Sequence, residues 1–162
     1  MFSLEALGPH HEAAVLSFER GNRAYFAQSI NDRGDSYFHQ FPARHRELLA
    51  AQQAGTGAFY VLVDEHAEVV GRFNLYDIVD GRANVGYRVA QRVAGQGVAT
   101  SGLRKLCHIA REDIGLRTLM AATDDENVAS QRVLAKVGFV LIGPTEVVGR
   151  HGAEFKINLA IF

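Results

Sequence analysis

The sequence predicts an α+β fold: a mixed, mostly antiparallel sheet flanked by helices. Three observations carry this. Between Ala58 and Ala90 the apolar period falls to two, in three runs parted only by short turn-like stretches, which reads as antiparallel hairpins. Before and after that block the apolar period is helical. The segment from Arg82 to Thr123 reads strand–helix–strand, the one place where a parallel crossover is expected. With 162 residues and no repeat or Pro/Gly/Ser linker, residues 1–162 are expected to form one domain.

Taken in order, "FSLEALG" alternates Phe2, Leu4 and Ala6 against polar or small partners and reads as a first strand. From Pro9 to about Ser29 the spacing of Ala14, Phe18, Tyr25 and Phe26 is helical, with a break at Gly21 or Asn22. "NDRGDS" (Asn31–Ser36) has the Asx and Gly content of a loop. "PARHRELLAAQQAG" is a helix with Pro42 in its first turn and Gly55 past its end. "AFYVLVD", "EVVGRFNLYDIVD" and "RANVGYRVA" follow as strands joined by "EHA" and "DGR"; the first is too apolar for a surface edge. Gly97 to Ile114 is helical, with Ala99, Leu103, Leu106 and Ala110 on one stripe and Gly115 as its stop. "LRTLMAAT" is a strand, and Asn127–Val137 a helix with Asp124 or Asp125 as N-cap and Gly138 at its exit. "FVLIGPTEVV" and "AEFKINLAIF" close the chain as two strands around "GRHG".

Composition narrows the function classes. Hydrophobic residues make up 48%, charged residues 22%, and the formal net charge is −1, which offers no overall basic excess for a nucleic-acid partner. The first residues lack a positively charged opening and a long apolar run, so no secretion signal is expected, and no stretch is apolar enough for a membrane span. A single cysteine, Cys107, excludes an internal disulfide and suits a reducing cytoplasm. The seven histidines are scattered, and no pair has metal-ligand spacing with a third ligand nearby, so no metal is expected. Cys107 falls beside an apolar helix stripe with no base paired to it and reads as a small core residue.

The chemistry concentrates at "VAGQGVAT" (Val93–Thr100), where a strand ends and a helix begins. A helix start offers up to four unpaired N–H groups and the positive end of the helix dipole. Side-chain-free Gly95 and Gly97 let a phosphate approach those donors; the same glycines also permit a sharp strand-to-helix reversal. The Lys-Ser/Thr ending of a nucleotide P-loop is missing, and the preceding hairpins are the wrong context for a dinucleotide fingerprint.

"RVAGQG" (Arg92–Gly97) resembles the Q/R-x-x-G-x-G/A signature of the GCN5-related N-acetyltransferases, and the strand–helix order is similar too. "NVASQRVLAKVGF" (Asn127–Phe139) resembles the N-x-x-S…L-x-K-x-G-F segment of the RimJ/RimL-like branch, whose members acetylate protein N-termini or small amines. The resemblance covers about Phe59 to Phe139 and is weakest over the first 55 residues. It implies a cleft where the strands Arg82–Ala90 and Leu116–Thr123 splay apart to hold acetyl-CoA as cosubstrate. The pantetheine arm would pair with backbone around Tyr87, Arg88 and Val89. The pyrophosphate would lie on the N–H groups of Gly95, Gln96, Gly97, Val98, Ala99 and Thr100, with Arg92 near it. The thioester would point toward Asn127 and Ser130, one helical turn apart. Ser130 is the expected partner of the leaving thiol, and Asn127 is expected to hold the cleft together.

Two departures from the family stand out. Many members carry a tyrosine, as acid for the thiolate, where this chain has Leu134. Relatives in the branch often place a glutamate where this chain has Asn84, and an amide cannot accept a proton at neutral pH. Asp77 and Asp35 are the carboxylates to consider as replacement base, and "FERGNRAYF" with "DRGDSYFHQF" is the stretch expected to meet an amine-bearing acceptor. The implied reaction is direct acetyl transfer to a primary amine, either a protein N-terminus or a small molecule. The alternative is a CoA-binding sensor or scaffold that retains the fold with little turnover. Relatives often pair, so a homodimer is an expectation, although no stripe in the sequence marks an interface.

Overall fold

The computed structural model describes residues 1–162. Strand β1 (Ser3–Ala6) leads through a 3₁₀ turn at Pro9–His11 into helix α1 (Glu12–Gly21) and a short helix α2 (Arg23–Phe26), the break falling at Asn22. The expected Asn31–Ser36 loop is shorter than its composition suggests, because Asp35–His39 closes one more helical turn, α3. An acidic residue in that first turn and the aromatic packing of Tyr37 against Phe41 hold it. Helix α4 (Phe41–Ala54) carries Pro42 in its first turn, where a missing N–H costs nothing.

Strands β2 (Gly57–Val63), β3 (Val69–Val79) and β4 (Arg82–Val89) form the antiparallel block. Helix α5 (Val98–Ile109) follows and winds wider as a π turn over Ala110–Ile114. Strand β5 (Thr118–Asp124), helix α6 (Val128–Val137) and the hairpin β6 (Val140–Val147) and β7 (Arg150–Asn158) complete the chain. The last hairpin turns on Val148 (φ 51) and Gly149 (φ 75), one residue pair earlier than the sequence suggests. Two successive positive φ values match the twist of the strands they join.

One seven-stranded sheet runs in the order β1-β2-β3-β4-β5-β7-β6, and all its pairings are antiparallel except β4–β5. β2 is thus covered on both edges, as its apolar sequence requires. The parallel pair is short. Arg82–Thr118, Ala83–Leu119 and Asn84–Met120 pair, and there the ladder stops, although β4 runs on to Val89 and β5 to Asp124. Beyond Asn84, β4 remains paired to β3 and β5 to β7. The two halves of the sheet therefore diverge like an open book, and their facing backbone groups have no sheet partner.

Helix α5 is seated on this divergence. Leu103, Leu106 and Ala110 of the expected stripe are fully buried, together with Gly102 and Cys107, whereas Ala99 stays half-buried at the helix mouth. A side chain at Gly102 would overlap the Phe73 ring, so helix and strand approach through that position. Phe73 in turn stacks on Tyr87, rings 6.0 Å apart. Each fully buried leucine here contributes about 1.5–3 kcal/mol, and Leu119 and Leu134 extend the same core toward α6. On the other face of the sheet, Arg72 and Arg88 are cross-strand neighbours, and both reach Glu19 of α1.

Candidate active site

Along the end of β4, a groove of about 440 Å³ runs from the mouth of α5 to the start of α6. Its first wall is the end of β4, with Tyr87, Arg88 and Val89. Its head is the turn into α5, with Gly95, Gly97, Val98, Ala99 and Thr100. Gly97 is the N-cap of α5 in the left-handed region (φ 76, ψ 8), and no side chain caps the helix. A Cβ at Gly95 or Gly97 would meet nothing within 4 Å, so the helix start is bare because a ligand-sized space lies over it and because both positions need positive φ. The positive φ values establish the sharp strand-to-helix reversal, and the open space leaves the helix start accessible.

The other wall is α6, with Asn127, Ala129, Ser130, Arg132, Val133 and Lys136. The N-cap of α6 is Asn127, not Asp124 or Asp125: its Oδ1 accepts the Ser130 N–H at 3.2 Å. Asp124 is drawn instead into a local turn, accepting the Glu126 N–H at 2.8 Å. The cap is worth about 1 kcal/mol and fixes Ser130 in the first turn of the helix. There the Ser130 hydroxyl lies 3.0 Å from the Tyr87 hydroxyl. Burial pushes the Tyr87 phenol up to about 12, against the opposing bond to Ser130, so the ring keeps its proton over the physiological range.

A second, smaller chamber of about 200 Å³ lies on the far side of this hydroxyl pair. Ser29, Ile30, Tyr87, Asn127 and Ser130 line both chambers, so the two spaces meet at the serine and the tyrosine. The second chamber is also bounded by Tyr76, by Thr123 and Asp124 of β5, and by Val147, Val148 and Arg150 of the last hairpin. Its one carboxylate, Asp124, has both oxygens engaged, by Glu126 N–H and by Arg150 Nε at 2.9 Å. The Thr123 hydroxyl is buried there without a hydrogen-bond partner.

Three of the expected site residues stand apart. Asn84 sits at the last paired position of the splay, where its amide donates to Asp77 at 3.2 Å, and it lines neither chamber. Arg92 reaches the β2–β3 turn instead of the helix mouth, bonding Asp64 at 2.7 Å and Glu68 at 3.3 Å. The Gln96 side chain turns back to the Arg92 carbonyl. Asp77 and Asp35 also lie outside both chambers, Asp35 being held by Arg23 at 2.9 Å. Cations nonetheless flank the groove: Arg132 and Lys136, i and i+4 to one another on one face of α6, line it although the sequence motif gave neither a role in the site. The Tyr87 hydroxyl had no sequence signal either, because only the fold brings β4 and α6 together.

Burial pushes the Cys107 thiol up to about 12, which suits a core residue and not a nucleophile. The histidines are less scattered than their spacing suggests. β1 brings Glu5 beside His10 and His11, with ligand atoms within 4.8 Å of one another. Both nitrogens of His11 are engaged there, Nδ1 by the Gly8 N–H at 2.9 Å and Nε2 with Glu5 at 3.0 Å. No helix is long and apolar enough to cross a membrane.

The site thus joins a sheet that opens at its one parallel pair to a helix whose start no side chain caps. Residues 5–140 match the acetyltransferase (GNAT) domain, and the chain belongs to that family. It is similar to the uncharacterized N-acetyltransferase p20 of Bacillus licheniformis, with 31% identity over 83 residues. That match covers 50% of this chain and 47% of the relative, so the chain aligns with about half the relative's length. In fold it is similar to the ribosomal-protein-S5-alanine acetyltransferase from Vibrio fischeri (TM-score 0.90, 18% identity, covering 97% of this chain and 92% of that one). It is also similar to the spermidine N-acetyltransferase from Vibrio cholerae in complex with CoA and spermine (TM-score 0.80, 15% identity, 98% and 96% covered).

Proposed function

We propose that this protein transfers an acetyl group from acetyl-CoA directly to a primary amine. The meeting of two chambers at the Tyr87–Ser130 hydroxyl pair carries the reading, because a two-substrate transfer needs both partners to reach one point from different sides. The bare start of α5 receives the pyrophosphate, and Arg132 and Lys136 add positive charge along the same groove. The unpaired edge of β4 from Val85 to Val89 offers backbone groups to the pantetheine arm. Acetyl-CoA supplies a thioester already activated toward an amine. As the new C–N bond forms, the C–S bond breaks, CoA leaves as a thiolate and the proton lost by nitrogen passes to water; Ser130 donates a hydrogen bond to the departing sulfur, and Tyr87, neutral and proton-bearing, donates to Ser130 in turn.

The second chamber favours an acceptor with one amine over a polyamine. Its only charged side chains, Asp124 and Arg150, neutralise each other, so it offers no acidic field for several cations. A protein N-terminus fits, and its amine, with a reference pKa of roughly 7.7–8.0, is substantially unprotonated near pH 8 without a strong base. One observation favours the second reading, a CoA-binding sensor with little turnover: no carboxylate with a free oxygen lines the acceptor chamber.

The test is CoA-thiol release from acetyl-CoA across N-terminal peptides, lysine peptides, polyamines and aminated antibiotics. Release with N-terminal peptides and little with polyamines is the expected result. Acetyl-CoA binding without release from any amine would establish the sensor instead.

A further inference from the structure

A third cavity, of about 250 Å³, lies on the opposite face of the sheet between α3, α4 and β3, and shares only Arg88 with the cofactor groove. We propose that it binds a small molecule carrying a carboxylate or phosphate group beside a hydrogen-bond donor. Three independent features point there.

The first is charge. Arg33, Arg44, Arg72 and Arg88 line the cavity, against the carboxylates of Glu19, buried just beneath, and Glu47 at the rim. Glu19 already serves three of these guanidiniums, Arg72 at 2.8 Å, Arg88 at 2.9 Å and Arg33 at 3.3 Å. One carboxylate cannot neutralise three cations, and Arg72 and Arg88, withdrawn from bulk water with side chains 7% and 16% exposed, leave positive charge that a second anion would offset.

The second is preorganisation. The Arg72 side chain is 7% exposed and fixed by Glu19 and by the Tyr37 hydroxyl at 3.3 Å. Arg33 and Arg44 each sit over the Tyr37 ring, 4.5 and 5.4 Å from its centre. Guanidinium forks held in place in this way bind carboxylate and phosphate oxygens with little loss of side-chain freedom.

The third is a pair of unspent acceptors. His45 Nε2 donates to the Gly8 carbonyl at 3.0 Å, which leaves its buried Nδ1 bare, and Asn74 Oδ1 is buried with no partner. Both residues line this cavity. Buried polar atoms are rarely left unmatched, and an ammonium or hydroxyl next to the anionic group would match them.

The test is titration of the protein, with and without saturating CoA, with inorganic phosphate and separately with lactate and serine, against chloride at matched ionic strength. Calorimetry gives the affinity, and the NMR signals of the His45 ring and the Asn74 amide report the location. The expected result is saturable binding of at least one probe that CoA does not displace, with both signals shifted. Arg33→Gln and Arg44→Gln, at the exposed rim, should each weaken it about tenfold or more, while Arg132→Gln in the cofactor groove leaves it unchanged. Phosphate alone binding would mark a phosphate ester as ligand, and lactate or serine alone an organic acid. No saturable binding beyond chloride would overturn the proposal. So would binding that Arg132→Gln abolishes and the rim variants do not, or binding that moves neither signal in the wild-type protein. None of these readouts depends on acetyl transfer.

Discussion

Tyr87 and Ser130 come from different elements, and the Tyr87 hydroxyl lies 3.0 Å from the Ser130 hydroxyl and donates to the Ser130 carbonyl at 3.4 Å, so neither acts alone in the proposed transfer. Ser130→Ala and Tyr87→Phe should each lower kcat by roughly 10²-fold, the size of a lost proton-donating contact. The double variant should be little worse than Ser130→Ala, since the tyrosine acts through the serine. Steady-state rates of the three variants, with acetyl-CoA affinity measured in parallel, decide this; full additivity would separate the two residues. Leu134, where many family members place a tyrosine, is completely buried and belongs to the core. A hydroxyl does stand at the junction, but it is delivered by β4. Motif spacing alone could not reveal this, because Tyr87 and Ser130 are 43 positions apart and meet only through the fold.

At the scale of elements, local chemistry was widely legible. The periods of two and of 3.6 marked the strands and the long helices, and the glycines marked their ends. What stayed hidden depended on competition between neighbours. Asn127 displaced the aspartates as cap of α6, because Asp124 closes its own turn and bonds Arg150. Arg92 was drawn to Asp64 and Glu68, acids that arrive from another hairpin. The site motif itself lies in one element, the mouth of α5, and is tested there. Gly97→Val forces a β-branched residue to φ 76 and fills the space above the helix start. It should cost about 1–3 kcal/mol of stability. Its acetyl-CoA affinity, measured by calorimetry on the folded variant, should fall far more than that strain explains. Unchanged affinity would remove the phosphate from the start of α5.

Across the whole molecule, the sheet is two antiparallel blocks joined by a parallel seam only three residue pairs long, from Arg82–Thr118 to Asn84–Met120. A cofactor lying along the free edge of β4 would supply the rungs that edge lacks beyond Asn84. Hydrogen exchange should therefore show slowed exchange at alternate amides of 85–89 when acetyl-CoA is added, with β2–β3 amides unaffected. Uniform slowing across the sheet would instead mean general stabilisation without a ligand in the seam. The mixed topology and the seam were foreseeable from strand order. The arginine-lined cavity behind it was not, since Glu19, Arg33, Arg72 and Arg88 come from four separate stretches of chain.

Val148 stands at φ 51 in the turn between β6 and β7, a conformation that a β-branched residue adopts only under strain, and it lines the smaller of the two chambers that meet at Ser130. Asparagine or glycine would sit there at ease, yet neither would offer an apolar wall to whatever enters. Under the proposed transfer, robustness and the shape offered to the acceptor are set against each other at this position. A lineage under heat would be drawn to surrender the valine, and a lineage under selection for its substrate to keep it.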